Sequence, residues 1–226
     1  MSTGSKSLVS DSFHGLHVLV DDDPRWSIDP ITQAKAACRG GAQVIQLRCK
    51  YATDQQSLDW ARQIRILTRM HGSRFVMNDR FDLALAADAD GVHLGQSDLD
   101  PANVAEALDR PLAIGRSTHT EEQLLASLTE PIDYVAFGPV FGTQSKQSEY
   151  SARGLTALLQ AKKIVGDRPL VAIGGITVHN MQSVISAGAQ AAAVISAVID
   201  TPDPAASARS LVDFFKAPER AQSEEQ

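Results

Sequence analysis

The chain has 226 residues, of which 43% are hydrophobic and 21% charged, and its formal net charge is −6. This length can bury one substantial core and falls in the range of single-domain barrels. Because the chain is acidic and has no Lys/Arg cluster, a nucleic-acid partner is not expected. No stretch approaches the roughly 20 apolar residues of a membrane span, and the N-terminus has no signal-peptide pattern, so we expect a cytoplasmic protein that binds no membrane.

Short β-branched runs alternate with amphipathic segments along the chain. The helical segments carry start signals, such as Asp54 before QQSLDWARQIRILTRM and Thr120 before EEQLLASL. This alternation is typical of a parallel sheet covered by helices, and eight such units predict a single (β/α)₈ TIM barrel of the α/β class. In chain order, the predicted strands are residues 16–20, 44–48, 74–78, 91–94, 112–116, 134–138, 170–174 and 192–196.

The barrel is expected to span residues 13–216. The flanking stretches, 1–12 and 217–226, lack apolar periodicity and are predicted to be disordered tails without function. A doubly wound open sheet is the structural alternative. It fits less well because the first turn, DDDPRW, is not rich in glycine.

Polar side chains gather where the predicted strands end, the side of such barrels that carries the chemistry. Alternation along strand two places Gln46, Arg48 and Lys50 on one face. Arg offers phosphate oxygens a planar fork and Lys adds a point charge. With Lys146 in the loop after strand six, these residues predict an anion site suited to a diphosphate, although ordinary surface charges at a strand end are the alternative.

Asp79 and Asp98 follow adjacent predicted strands, with no obvious cationic neighbour in sequence. Carboxylates brought together in this way suit Mg²⁺, which takes one or two of them together with water and phosphate oxygens. Alternatively, Asp79 caps the helix of FDLALA, and Asp98 caps a helix that begins near Pro101. Both interpretations stay open for each residue.

A glycine pair, Gly174 and Gly175, follows strand seven, and Ile195 and Ser196 close strand eight. Glycine lets backbone amides approach a ligand, and the loops after these two strands often bind phosphate in such barrels. This predicts a second anion site, although a glycine pair after a strand is often only a turn.

Other polar residues give weaker signals. His93 and His119 could act as acid or base, but histidines within a strand or beside a helix start are more often packed or capping residues. Asp21, Asp22 and Asp23 at the end of strand one fit a metal site and a solvated turn equally well. We assign none of these five a role.

With these residues placed, the chain resembles the thiamine-phosphate synthases, also called thiamine-phosphate pyrophosphorylases, of the thiamine synthase/thiazole tautomerase superfamily. The resemblance spans nearly the whole barrel, and its motifs occur in the expected order and spacing. They are QLRCK (46–50), MNDR (77–80), DGVHLGQSDL (90–99), IGRSTHT (114–120), FGPVFGTQSK (137–146), AIGGIT (172–177) and AVIS (193–196).

The resemblance implies an enzyme that transfers an alkyl group. It would couple 4-amino-2-methyl-5-(diphosphooxymethyl)pyrimidine to 4-methyl-5-(2-phosphooxyethyl)thiazole, or to its 2-carboxylate, and give thiamine phosphate and pyrophosphate. The implied path is dissociative, through a pyrimidine carbocation, and needs no general base. The partners implied are these two small-molecule substrates, and a barrel of this size can be a monomer or a homo-oligomer.

Site residues follow by carry-over onto the matching motifs. Mg²⁺ is the implied cofactor, with Asp79 and Asp98 as its ligands. Catalytic roles fall on Arg48, Lys50, Ser117 and Lys146; pyrimidine diphosphate contacts on Gln46, Arg48, Lys50, Asn78, Ser117 and Lys146; and thiazole phosphate contacts on Thr143, Ser145, Gly175, Ile195 and Ser196.

The chain departs from the family pattern at three positions. Cys49 stands where Glu is usual, Ser145 replaces a common Thr and keeps the hydroxyl, and Gly142 replaces a frequent Pro. Cys49 is expected to face away from the anion site. Gly142 is expected to loosen its loop and to raise the substrate KM.

Two other functions compete with the synthase. A thiazole tautomerase shares the barrel, and SKQSEYSARGL resembles that family as well. Tautomerases tend, however, to carry a catalytic His where this chain has Pro139, and to lose the carboxylate that is present here as Asp98. The second competitor is a non-catalytic protein that binds thiazole phosphate, which would not need both carboxylates.

Overall fold

The computed structural model describes residues 13–143 and 150–216, and within them eight parallel strands close into a barrel in sequence order. Because β1 pairs with both β2 and β8, the sheet has no free edge. The predicted (β/α)₈ barrel is confirmed. The strands are β1 Gly15–Asp21, β2 Val44–Arg48, β3 Arg74–Asn78, β4 Gly91–Leu94, β5 Ala113–Thr118, β6 Tyr134–Phe137, β7 Leu170–Ile173 and β8 Ala191–Val194.

Helices follow the strands and cover the outside of the barrel. They are α1 Pro30–Arg39, α2 Asp54–His71, α3 Phe81–Ala86, α4 Pro101–Ala107, α5 Glu121–Ser127, α6 Gly154–Val165, α7 Met181–Ser186, α8 Ser196–Ile199 and α9 Pro204–Val212, and a 3₁₀ turn, Asp213–Phe215, comes last. Within the two described stretches, no helix has the length and apolar character required to cross a membrane.

The strand ends differ from the prediction in ways that affect the site. Strand β5 runs on to Thr118 because its last residues pair with β6. Strand β8 stops at Val194, since the backbone leaves the extended conformation at Ile195, with φ −122° and ψ −83°. Ser196 therefore opens helix α8 instead of closing the strand, which corrects the expected end of strand eight. Strands β6 and β7 also end one residue early, before Gly138 and Gly174.

Of the two helix starts singled out above, one is confirmed and one is wrong. Thr120 caps α5 by accepting a hydrogen bond from Gln123 N. The cap of α2 is Thr53, whose side chain accepts from Gln56 N. Asp54 is instead the first helical residue, and its carboxylate pairs with a distant arginine side chain.

The inside of the barrel is filled from the N-terminal end and left open at the other. Phe13 closes the bottom and stacks on Tyr134, with ring centroids 5.0 Å apart. The Tyr134 ring occupies space that Gly115 leaves free, since a Cβ at Gly115 would lie 2.1 Å from the tyrosine Cζ. Towards the C-terminal ends, the inward positions Ala136 and Ala193 are small, which leaves room for a cavity lined by both.

Candidate active site

A cavity of about 620 Å³ opens at the C-terminal ends of the strands. Every described residue to which the family resemblance assigned a role lines it, and so do His17, His93 and Tyr134. Ser145 and Lys146 lie outside the described residues. The predicted residues that share the cavity are Gln46, Arg48, Lys50, Asn78, Asp79, Asp98, Ser117, Thr143, Gly175, Ile195 and Ser196.

Arg48 is held at the cavity wall by a carboxylate from the neighbouring strand. Its guanidinium donates to Asp21 Oδ2 at 2.6 Å, and the Asp21 side chain is completely buried. Asp21 also accepts from the Trp26 indole N–H at 3.3 Å. The prediction missed this role, although the aspartate triplet at the end of strand one was the available signal.

Asp22 arranges the loop after β2, which carries Lys50. Its carboxylate accepts three backbone N–H bonds, from Lys50, Tyr51 and Ala52, at 2.8, 2.9 and 2.7 Å. Asp23 pairs with Arg25 two residues later. The triplet therefore organises the β1 and β2 ends, and its three carboxylates do not share one site.

Lys50 is the cationic partner of Asp79, which the sequence did not reveal. The Lys50 ammonium lies 2.6 Å from Asp79 Oδ2, and the side chains are 47% and 21% exposed. Asp79 adopts a left-handed conformation with φ 65°, and its N–H donates to the carbonyl of His93 in β4. It does not cap α3, whose N-cap residue is Arg80 and has no side-chain cap bond.

Asp98 reaches back towards Asp79 from the loop after β4. Its carboxylate accepts from Gly95 N at 2.6 Å, while Asp100 caps α4, so the capping alternative for Asp98 is also wrong. Burial raises the pKa of Asp98, and the neighbouring Asp79 carboxylate raises it further. Two oxygen-ligand carboxylates that repel each other beside a cavity fit a hard divalent cation.

A buried polar chain forms the cavity floor between β4 and β6. His93 Nε2 lies 2.8 Å from Ser117 Oγ, and His93 Nδ1 lies 3.0 Å from Tyr134 Oη. His93 is packed, as its strand position indicated, yet it also faces the cavity. The sequence prediction missed Tyr134, although alternation from the inward-facing Ala136 would have placed it inside the barrel.

Two further buried polar groups complete the floor. Gln46 is 3% exposed, and its Oε1 atom has no hydrogen-bond partner among the described residues. His17 Nε2 contacts the carbonyl of Phe13 at 2.8 Å. Burial lowers the pKa of His17 to about 4, so this ring is neutral near pH 7.

His119 lies at the cavity mouth and stacks on Tyr150, with ring centroids 4.2 Å apart. Its Nδ1 atom is 2.6 Å from the Gly138 carbonyl oxygen, and its backbone N–H donates to Gln123 Oε1. This is the packed role that its position beside a helix start indicated.

The β7 and β8 side of the cavity is made largely of backbone. Gly174 and Gly175 have φ of 90° and 64°. A Cβ at Gly174 would lie 2.4 Å from Pro139 Cβ, and one at Gly175 would lie 2.4 Å from the Gly142 carbonyl oxygen. Packing alone therefore requires glycine at both positions, because the loop after β6 lies directly against them. Helix α8 follows, with Ser196 at its start.

Two of the departures from the family pattern can be placed. Cys49 does not line the cavity but packs against the core beside Ser57, and burial raises its thiol pKa to about 11. The expectation that it faces away from the anion site is confirmed. Gly142 lies in the loop after β6, where a Cβ would meet no atom of the described residues within 4 Å. Ser145, the third departure, is outside the described residues.

Comparison with known proteins identifies the family. A family model described as thiamine monophosphate synthase matches residues 16–198. The chain belongs to this family. Thiamine-phosphate synthases of Chlorobium phaeovibrioides and Thermus thermophilus are 46% and 40% identical to it over 198 and 199 residues, 87% of this chain in both cases and 92% and 94% of those proteins.

A solved structure supports the same conclusion. Thiamine phosphate pyrophosphorylase from Pyrococcus furiosus superimposes with a TM-score of 0.83 at 33% identity, covering 92% of this chain and 97% of that one. Orotidine 5'-phosphate decarboxylase from Pyrococcus horikoshii shares the fold alone, with a TM-score of 0.64 at 13% identity. As a member of the thiamine monophosphate synthase family, the chain is an enzyme of the transferase class.

Proposed function

We propose that this enzyme couples 4-amino-2-methyl-5-(diphosphooxymethyl)pyrimidine to 4-methyl-5-(2-phosphooxyethyl)thiazole or its 2-carboxylate, with release of pyrophosphate and, from the carboxylate, also of CO₂. The bond from the pyrimidine methylene carbon to the diphosphate oxygen breaks, and its electron pair leaves with pyrophosphate. The thiazole nitrogen then supplies the pair for the new carbon–nitrogen bond. The observation that carries the proposal is the convergence of Arg48, Lys50 and the Asp79/Asp98 pair at one side of the cavity.

Arg48 and Lys50 are placed to bind the diphosphate. Asp21 neutralises one face of the Arg48 guanidinium and fixes its orientation, which leaves other N–H groups of the fork for phosphate oxygens. Lys50 is more exposed, so its ammonium can move from Asp79 to a diphosphate at little cost. That movement frees an Asp79 oxygen at the same time. Asn78 lines the cavity beside them, and Lys146 is assigned to the diphosphate by resemblance alone.

Asp79 and Asp98 are the residues that would hold Mg²⁺. When bound, the ion would neutralise negative charge that develops on the leaving diphosphate. The raised pKa of Asp98 beside Asp79 supports this assignment, because a nearby divalent cation would relieve the repulsion between the two carboxylates. Lys50 provides part of that compensation before substrate binds.

The cavity floor suits an aminopyrimidine. Gln46 offers a buried amide oxygen that lacks a donor among the described residues, and an amino group on the substrate would supply one. Ser117 offers a hydroxyl from β5. Surrounding residues such as Leu19, Val171 and Ile173 are apolar and line the same space. They would keep water from a cationic intermediate once both substrates fill the cavity.

The loops after β7 and β8 suit the thiazole phosphate. Phosphate sites in such barrels commonly combine these two loops with the start of a short extra helix, and α8 is a short helix in that place. Gly175, Ile195 and Ser196 line this side, and Thr143 of the loop after β6 lines the same cavity. Ser145 would join them by resemblance. No general base is assigned, because the thiazole nitrogen attacks with its own lone pair.

The decisive experiment incubates the purified protein with both substrates and Mg²⁺ and measures thiamine phosphate and pyrophosphate. We expect the two products in equal amounts, and neither when EDTA is added. If a folded protein forms neither product with Mg²⁺ present, the synthase proposal is wrong. The 2-carboxylated thiazole phosphate, incubated without pyrimidine, would then reveal a tautomerase by isomerisation. Calorimetric binding of thiazole phosphate that is indifferent to EDTA, without turnover, would indicate a non-catalytic binding protein.

A further inference from the structure

Three side chains from adjacent strands form a hydrogen-bonded chain that ends at the cavity. Tyr134 of β6 contacts His93 Nδ1 at 3.0 Å, and His93 Nε2 contacts Ser117 Oγ of β5 at 2.8 Å. Tyr134 and His93 are 1% and 7% exposed, whereas Ser117 is partly exposed and faces the cavity. The order of the chain therefore runs from the barrel core to the substrate space.

The structure determines whether the Tyr134 hydroxyl donates or accepts its hydrogen bond with His93. Within residues 13–143 and 150–216, the Tyr134 hydroxyl is hydrogen-bonded to His93 Nδ1. Burial raises the pKa of Tyr134, so the hydroxyl keeps its proton. A buried hydroxyl proton left without an acceptor is unfavourable, because it has lost its hydrogen bond to water. The Tyr134 O–H therefore donates to His93 Nδ1.

This direction determines the tautomer of His93. Because Nδ1 accepts, the ring is neutral and carries its hydrogen on Nε2. Nε2–H then donates to Ser117 Oγ at 2.8 Å. Since the serine oxygen accepts from inside the barrel, its own proton is directed away from His93 and towards the cavity.

Neighbouring rings and a glycine fix Tyr134 in the position that its hydrogen bond to His93 requires. Its ring stacks on Phe13 with centroids 5.0 Å apart and an interplanar angle of 19°, and on His93 with centroids 5.5 Å apart. Gly115 has no side chain where the ring lies, and a Cβ there would come within 2.4 Å of the Tyr134 hydroxyl oxygen. The glycine in β5 thus makes room for the hydroxyl that orients the serine two residues later.

We propose that Tyr134 and His93 are positioning residues that set Ser117 as a hydrogen-bond donor towards the pyrimidine substrate. The inference rests on the proposed function for the identity of that substrate. The atom that Ser117 recognises is an acceptor without hydrogen, such as a pyrimidine ring nitrogen. Gln46 Oε1 is buried and has no hydrogen-bond donor among the described residues, so it accepts a hydrogen bond from the neighbouring amino group of the pyrimidine. In this arrangement Ser117 binds the ring and does not remove a proton from it.

The first test determines the tautomer in the protein without substrate. Nitrogen-15 NMR of histidine-labelled protein distinguishes ring nitrogens that carry hydrogen from those that do not, and His93→Gln identifies the His93 signals by their loss. We expect hydrogen on Nε2 and none on Nδ1. Hydrogen on Nδ1, or on both nitrogens, near neutral pH would overturn the proposal. This readout needs no turnover, so it stands even if the wild type fails to make thiamine phosphate and the proposed function falls.

The second test compares Tyr134→Phe with wild type in the coupling reaction. The variant keeps the stacked ring and loses only the hydroxyl, so we expect kcat/KM for the pyrimidine diphosphate to fall about fivefold, with an unchanged KM for the thiazole phosphate. Tyr51→Phe, which removes a tyrosine hydroxyl from a residue 64% exposed, should leave both values unchanged. An unchanged kcat/KM in Tyr134→Phe contradicts the proposal, as does an equal loss for both substrates.

Two further comparisons separate positioning from packing. In the Ser117→Ala background, Tyr134→Phe should have no additional effect, because the residue through which it acts is gone. His93→Gln places an N–H group near the Nε2 position and should retain more activity than His93→Asn, which reaches only the Nδ1 position. Additive losses in the double variant, or equal losses in the two His93 variants, would show a purely structural role.

Discussion

One side of the cavity is formed mainly by charged side chains and the other mainly by backbone. The side formed by β2, β3 and β4 presents charged side chains, and two ion pairs hold them, Arg48 with Asp21 and Lys50 with Asp79, each at 2.6 Å. The side formed by β6, β7 and β8 presents backbone. There, Gly175 lies so close to the loop after β6 that a Cβ would meet a carbonyl oxygen at 2.4 Å.

This difference teaches what each side can tolerate. On the charged side, function depends on which groups are present, and an exposed side chain such as Lys50 can exchange partners when substrate binds. On the backbone side, function depends on glycine residues, because the neighbouring loop leaves no space for a Cβ. Substitutions on the charged side should therefore lower the coupling rate. Substitutions on the backbone side should lower both the stability of the fold and the affinity for thiazole phosphate.

The largest effect is expected for Asp98→Ala on the charged side. Loss of one of two adjacent carboxylates should weaken Mg²⁺ binding and lower the coupling rate by about 100-fold or more. Steady-state rates over a range of Mg²⁺ concentrations measure this effect. Asp100→Asn is the matched control, because Asp100 only caps α4 and Asn caps equally well. A Mg²⁺ dependence unchanged by Asp98→Ala would exclude this residue as a metal ligand.

Gly175→Ala probes the backbone side. A left-handed φ costs alanine about 1 kcal/mol, and the clash with Gly142 adds up to about 3 kcal/mol, so unfolding by urea should show a loss of roughly 4 kcal/mol. The KM for thiazole phosphate should rise as well. Gly72 has a similar φ of 71°, and a Cβ there would meet no atom of the described residues within 4 Å, so Gly72→Ala should show the conformational cost alone. Equal losses in the two variants would mean that close packing at Gly175 is not limiting.

Much of the fold could be predicted because each barrel strand leaves a local signal. β-branched runs, turns and helix caps recur with one period, and β2, β3 and β4 begin and end at the predicted residues. The start of α2 was misplaced because Thr53 and Asp54 are both competent caps. The choice depends on Arg80, which pairs with the Asp54 carboxylate from 26 positions away along the chain.

The candidate site was predictable where it depends on strand alternation, and less so where it depends on register. Alternation placed Gln46, Arg48 and Lys50 on one wall of the cavity. The partner of Arg48 follows from the pairing of β1 with β2, which sets Asp21 beside it. The link from Tyr134 to Ser117 requires three neighbouring strands and a glycine, and no single segment of the sequence contains that information.

The floor shared by both sides should respond to acid through His17. Burial lowers its pKa to about 4 from an ordinary value of 6.5. As the pH falls, the unfolded chain therefore binds a proton first, and the contribution of neutral His17 to stability is present above about pH 6.5 and lost by about pH 4.

Urea unfolding across this range measures the effect. The loss attributable to His17 should amount to about 3 kcal/mol. His17→Gln should remove that part of the pH dependence, whereas His71→Gln, at the exposed end of α2, should keep it. If His17→Gln and wild type lose stability in parallel between these two pH values, the acid response arises elsewhere.

The smallest effect is expected in the loop after β6, on the backbone side. A Cβ at Gly142 would meet no atom of the described residues within 4 Å, and its φ lies outside the positive region, so Gly142→Pro is the direct test of loop freedom at this position. Proline restricts φ at position 142, and removing this conformational freedom saves about 0.4–1 kcal/mol. Both substrate KM values should therefore fall, by about two- to fivefold.

Gly142→Ala separates loop stiffness from the mere addition of a side chain. Alanine fills the same open space but restricts φ much less than proline, so it should lower the KM values less. If Gly142→Pro leaves both KM values unchanged, loop freedom at this position does not limit substrate binding. The close contact of the Gly142 carbonyl with Gly175 would then be enough to hold the loop against the backbone side.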